Sequence, residues 1–299
     1  MKKYQKKFVE LKDETIAYLD EGKKDGKMLF LIHGNMSGSL HWTPLIERLE
    51  DTYHIIAPDM KGYGDSTYNI PFNHLDQQAD LMAEFCEKLG LKHLAVAGWS
   101  TGGGVAMSMK ARYPELVDSI IFVDSISYRG HPYYKRDEKG LPIMGAAYSS
   151  MEEMAADRSQ KVAIDATANK DYARMEAIWN LVIYTGNGHY EGEESHYYIT
   201  ETFKQRCMME AYWALSTFNI SDTPTPYAPG NGLVHKVTCP ILMFWGENDI
   251  AISWDCYTKD NVEYFPPTQL KFIKLPHSGH SPLHDQPDLL AKGIREFLK

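Results

Sequence analysis

Gly98-Trp99-Ser100-Thr101-Gly102, prolonged by Gly103 and Gly104, follows the apolar run His93 to Ala97 and opens a stretch of helical spacing from Thr101 to Arg112. A buried strand that turns at once into a helix brings the two backbones close together, and a glycine on each side of the serine leaves room for that approach. The turn holds Ser100 in a strained conformation and presents its hydroxyl above the sheet edge. As a five-residue pattern alone the match is weak; its place between a strand and a helix gives it weight. The first turn of the helix offers unpaired backbone N–H groups and a positive dipole end, so an anion forming beside the serine is stabilised. A phosphate cradle is the competing reading of a glycine-rich turn. The lysine and spacing of G-x-x-x-x-G-K-[ST] are missing, as is G-x-G-x-x-G, and that reading is rejected.

Outward from this turn, strand and helix periods alternate as far as Asp124. The expected strands are Lys7 to Leu11, Thr15 to Asp20, Met28 to His33, His54 to Pro58, His93 to Ala97 and Ser119 to Asp124. Helical spacing runs from Trp42 to Leu49, Leu75 to Leu89 and Thr101 to Arg112. The runs at Met28, His93 and Ser119 lack alternation, as strands buried on both faces do, and belong at the centre of a mostly parallel sheet flanked by helices. From Tyr128 to Val234 aromatic and methionine residues increase and helical spacing dominates. The pattern resumes with strands Pro240 to Trp245 and Leu270 to Leu275 and a helix from Asp288 to Leu298. The expected architecture is α/β, with a discontinuous domain over 1–127 and 235–299 and an inserted helical cap over 128–234.

Three further elements lie at strand ends. His33-Gly34-Asn35-Met36 follows the Met28 strand, where a second backbone donor can join the N–H after Ser100; this assigns an oxyanion pocket to Thr101 and Asn35, with Met36 in reserve. Trp245-Gly246-Glu247-Asn248-Asp249 follows the strand from Pro240. A carboxylate there can accept an imidazole N–H and stabilise the imidazolium. Asp249 is the choice, with Glu247 and Asp124 as rivals. His277-Ser278-Gly279-His280-Ser281-Pro282 follows the last strand. His280 sits on a sharp loop and completes the order Ser, Asp, His, whereas His277 reads as a surface or supporting residue.

Taken in order, H-G-N-M at 33, D-M-K-G-Y-G-D-S at 59–66, G-W-S-T-G-G at 98–103, G-E-N-D at 246–249 and G-H-S-P at 279–282 resemble the α/β-hydrolase family. The likeness is greatest to its capped esterase, lactonase and carbon–carbon hydrolase branch. The resemblance spans nearly the whole chain and implies the fold and the roles of Ser100 as nucleophile, His280 as base and Asp249 as the acid that orients it. Lys61 stands where the family usually carries arginine, a departure taken as structural. The implied reaction is two-step acyl transfer to water, without a cofactor or metal. A small-molecule carboxylic ester is the first expected substrate, a lactone the second, a carbon–carbon bond the third. A non-catalytic binding protein on a hydrolase scaffold is the alternative of another class, and the complete triad speaks against it.

Composition sets the bounds. The 299 residues are 43% hydrophobic and 24% charged, ordinary for a globular chain. A net charge of −9 disfavours nucleic acid and anionic membranes as partners. The apolar runs are far shorter than a bilayer crossing, and the lysine-rich start lacks the apolar core of a signal peptide, so a cytoplasmic protein is expected. The four cysteines and twelve histidines show no metal or disulfide spacing. Trp179, Tyr184, Met208, Met209, Tyr212, Trp213 and Phe218 are candidate pocket residues, although aromatics at helical spacing pack first and bind second.

Overall fold

The computed structural model describes residues 2–299. Eight strands, β1 (Lys7–Glu10), β2 (Thr15–Gly22), β3 (Met28–Ile32), β4 (His54–Pro58), β5 (Leu94–Trp99), β6 (Val117–Val123), β7 (Ile241–Gly246) and β8 (Leu270–Leu275), form one sheet. Its order is β1-β2-β4-β3-β5-β6-β7-β8. The pairs β1–β2 and β2–β4 are antiparallel, and all pairs from β4 to β8 are parallel. The helices are α1 (Thr43–Leu49), α2 (Asp76–Leu89), α3 (Thr101–Arg112), α4 (Met151–Ala156), α5 (Val162–Ala168), α6 (Tyr172–Val182), α7 (Gly192–Thr202), α8 (Met208–Thr217), α9 (Lys259–Tyr264), α10 (Pro282–Asp285) and α11 (Pro287–Phe297).

The sheet is mostly parallel because crossover helices join its central strands, and both faces are therefore covered. One face packs α2 and α3 through Met82, Phe85, Val105 and Met109. The other packs α1 and α11 through Leu45, Ile46, Leu290 and Ile294. In α2, Ala79, Met82, Phe85 and Cys86 recur at helical spacing and are buried. Gly90, in the left-handed region, ends the helix by turning its N–H back to Cys86 and Glu87. Helices α4 to α8 lie between β6 and β7, where the chain contains only isolated bridges and no strand. No helix among the described residues is long and apolar enough to cross a membrane.

Expected and observed elements differ at their ends for identifiable reasons. β5 continues through Gly98 and Trp99 because β6 keeps pairing with it as far as Val123. β2 continues to Gly22 because β4 pairs antiparallel with it down to His54. The glycines of the turn are fixed by contact. A Cβ on Gly98 would lie 2.3 Å from the carbonyl oxygen of Gly102, and one on Gly102 would lie 2.1 Å from that of Ile32.

Candidate active site

Ser100 follows β5 directly and caps α3 at φ +53° and ψ −116°, a backbone region that non-glycine residues occupy only when their surroundings hold them there. Three hydrogen bonds do so: the Ser100 N–H donates to Val123, and the Ser100 carbonyl accepts from Gly103 and Ile126. The Oγ lies 3.0 Å from Nε2 of His280, and Nδ1 of that ring lies 2.8 Å from Asp249 Oδ2. Both His280 and Asp249 are buried. Asp249 is held by the N–H groups of Ala251 and Ile252, each 2.8 Å from Oδ1.

The rivals for the acid take other positions. Glu247 accepts the His277 N–H and pairs with Lys274 at the surface. His277 itself is exposed. Asp124 is completely buried and accepts the N–H of Gly246 at 2.8 Å.

Asn35, Thr101, Ser100 and His280 line one cavity of about 410 Å³. The Met36 N–H, the reserve donor, is taken by Gln205 Oε1 at 3.0 Å. Gln205 also donates to the Asn35 side chain at 2.7 Å, and Tyr63 does so at 3.2 Å, so the loop after β3 is tied to the chain just beyond α7. Its apolar walls include Tyr133, Tyr134, Val182, Ile183, Leu215 and Tyr257, and its polar points include His131, Arg136 and Gln160. None of the seven aromatic and methionine residues singled out in the sequence lines it. Trp179 stacks instead on His41 and Tyr212 on Tyr133.

Other residues that hold the site carry no sequence signal of their own. Trp99, the unspecified second position of the serine motif, donates its indole N–H to the His280 carbonyl at 2.7 Å and so anchors the histidine loop to the Ser100 turn. Asp285 accepts the Gly279 N–H at 2.7 Å in the same loop. Only the packed fold shows these partners, which lie 181 and 6 residues apart in the chain.

Beneath the loop after β3, the buried His33 accepts the Met60 N–H at 3.0 Å, which joins the segments after β3 and β4. Burial lowers the pKa of His33 to about 4 and that of His41 to about 3. Both fall below the unfolded value of about 6.5, so the unfolded chain takes up these protons first as pH falls. Their contribution to stability is complete above about pH 6.5 and is lost toward pH 4 and pH 3, at about 1.4 kcal/mol per pH unit for each histidine. The urea midpoint should therefore fall steeply between pH 6.5 and 4, with a shallower slope in His41→Gln. A wild-type midpoint that is constant over that range would contradict two neutral buried rings.

Lys6 joins the segment before β1 to the rest of the molecule. Its side chain is 6% exposed, and its ammonium lies 2.7 Å from Asp59 and 2.9 Å from Asp65 and also contacts Glu201 on α7. Burial alone would raise the Asp59 carboxyl, but Lys6 overrides it and holds the group low. Asp59 further accepts the N–H groups of Ser39 and Asp65, which shapes the loop over 59–66. Lys61 in that loop is buried, with its ammonium over the Phe72 ring.

Comparison with known proteins agrees with this architecture. The family profile described as the alpha/beta hydrolase fold matches residues 27–287. Lipase 1 of Psychrobacter immobilis is 31% identical over 97% of this chain and 84% of its own length. Lipase 3 of Moraxella sp. (strain TA144) is 30% identical over 95% of this chain and 81% of its own. The solved structure of an esterase from Exiguobacterium antarcticum superposes with a TM-score of 0.74 at 17% identity, covering 97% of this chain and 98% of that one. With the profile spanning most of its length, the chain belongs to the alpha/beta hydrolase fold family.

Proposed function

We propose that this protein is a serine hydrolase that cleaves a small-molecule carboxylic ester through an acyl-enzyme on Ser100. The observation that carries this reading is the continuous chain from Ser100 Oγ to His280 Nε2 at 3.0 Å and from His280 Nδ1 to Asp249 at 2.8 Å, on the wall of a cavity of about 410 Å³. His280 removes the serine proton as Oγ attacks the ester carbonyl, and the Thr101 and Asn35 N–H groups receive the developing oxyanion. The imidazolium, held by Asp249, returns the proton to the departing alkoxide. Water, deprotonated by the same ring, then releases the acid. Two relatives named as lipases, similar over most of this chain, support an ester as the bond cleaved. The helices between β6 and β7 act in this reading as a cap that closes the cavity over Ser100.

A fluorophosphonate probe should label wild-type protein at Ser100, and an unlabelled protein would favour a binding module over an enzyme. A cavity of this volume with aromatic walls suits a compact acyl group. Among p-nitrophenyl esters, kcat/KM should be on the order of tenfold higher for the butyrate than for the palmitate. A preference for the palmitate would contradict a compact acyl site, and faster turnover of lactones than of any ester would move the substrate to cyclic esters.

A further inference from the structure

Asp124 and Asp249 follow neighbouring parallel strands, β6 and β7, and both side chains are buried. Oxygens of the two carboxylates and a ring nitrogen of His280 all lie within 4.8 Å of one another. Buried carboxylates this close do not both carry charge, since a buried environment leaves their mutual repulsion poorly screened. The count of donors decides which keeps a proton. Asp249 receives the N–H groups of Ala251 and Ile252 and the His280 ring. Asp124 receives the Gly246 N–H on Oδ1, while its Oδ2 is buried with no donor. An ionised Asp124 would leave that oxygen unpaired. A protonated one turns it into a donor with an acceptor beside it.

We propose that Asp124 is a neutral carboxylic acid that donates its Oδ2 proton to the Asp249 carboxylate and thereby limits the negative charge that Asp249 presents to His280. It is a positioning residue, and the inference rests on the triad reading above. Burial and the neighbouring Asp249 both push the Asp124 carboxyl well above the usual carboxylate range, with Asp285 adding to the effect. His131, neutral with a pKa lowered to about 4, is the other titratable ring that feels this group of charges. The backbone agrees: Asp124 is held at φ +42° with its N–H on Phe244, a strained conformation that aims the side chain and is stored where surroundings enforce it.

Two substitutions and one spectrum test the pair. Asp124→Asn keeps an oxygen for Gly246 and supplies an amide N–H in place of the acid proton, whereas Asp124→Ala removes both. Asp124→Ala should lose about tenfold or more in kcat on p-nitrophenyl butyrate, with the acid limb of its kcat/KM profile displaced upward, because Asp249 without its donor holds a protonated ring more firmly. Asp124→Asn should rescue the rate to within about threefold of wild type and leave the acid limb within about 0.3 pH unit, since no charge has been removed. If Asp124 were ionised, Asn would delete a negative charge within 4.8 Å of the ring and lower the acid limb by about a unit or more, which would overturn the proposal. An infrared difference between wild type and Asp124→Asn at pH 7 should contain the C=O band of a protonated carboxyl. Its absence overturns the proposal whatever the enzyme turns over and whether or not the alanine variant folds. Loss of Ser100 labelling in wild type would instead retire the hydrolase reading, so the two failures are distinguishable.

Discussion

Ser100→Ala is expected to lower kcat by at least three orders of magnitude and to leave the fold intact. The Oγ makes its hydrogen bond to His280 Nε2, whereas the turn is held by backbone bonds to Val123, Gly103 and Ile126 that alanine retains. Alanine also keeps the Cβ, so the strain at φ +53° is nearly the same in both proteins. In the proposed mechanism what disappears is the nucleophile, and with it the acyl-enzyme route. The activity expected to remain is that of the proposed oxyanion donors and substrate binding, the residue of catalysis found when triads elsewhere are dismantled. Steady-state turnover of p-nitrophenyl butyrate, with melting temperature as the control, checks this; near-normal kcat would sink the assignment of Ser100.

Asp249→Asn should lose roughly four orders of magnitude in kcat. The carboxylate lies 2.8 Å from His280 Nδ1, which in the proposed mechanism leaves Nε2 free to take the serine proton. An asparagine there can present its N–H₂ to the ring and favour the tautomer in which Nε2 already bears hydrogen, and it supplies no charge to the imidazolium. Binding should change little, so the loss falls on kcat and not on KM. The loop itself should survive, because an amide oxygen can still accept from the Ala251 and Ile252 N–H groups. Asp124→Asn is mild by comparison, and a severe loss there beside a mild one in Asp249→Asn would exchange the roles of the two acids.

The sheet could be read from the sequence because strands buried on both faces produce continuous apolar runs, as at Met28–Ile32 and Ile241–Gly246. Ser100, Asp249 and His280 could be picked out for a related reason. In a parallel sheet the carboxyl ends of the strands lie along one edge, so short polar motifs placed just after strands converge in space. Side chains that depend on packing across the molecule were invisible. Gln205 reaches the loop after β3 from beyond α7, and Trp99 holds a carbonyl 181 residues away; neither position carries a period or a motif that marks it. The aromatic candidates between β6 and β7 fared differently from the strand motifs because helical spacing marks the buried side of a helix without saying what it packs against. In the fold, Trp179 turned toward His41 and Tyr212 toward Tyr133.

The ion cluster at Lys6 bears on mechanics as well as on shape. Lifting α7 away from the sheet would pull Glu201 from a buried ammonium that also neutralises Asp59, and stranding such charges costs several kcal/mol. In the segment before α4, Leu141, Ile143 and Met144 are exposed, Pro142 and Met144 line the cavity, and the one ion pair among the described residues that ties the segment to the helices is the half-exposed Lys135–Glu153 contact to α4. The helical layer is thus riveted to the sheet at α7 by buried charge, whereas its contact at residues 132–145 rests on a surface ion pair that is worth at most about 1 kcal/mol and on stacked rings.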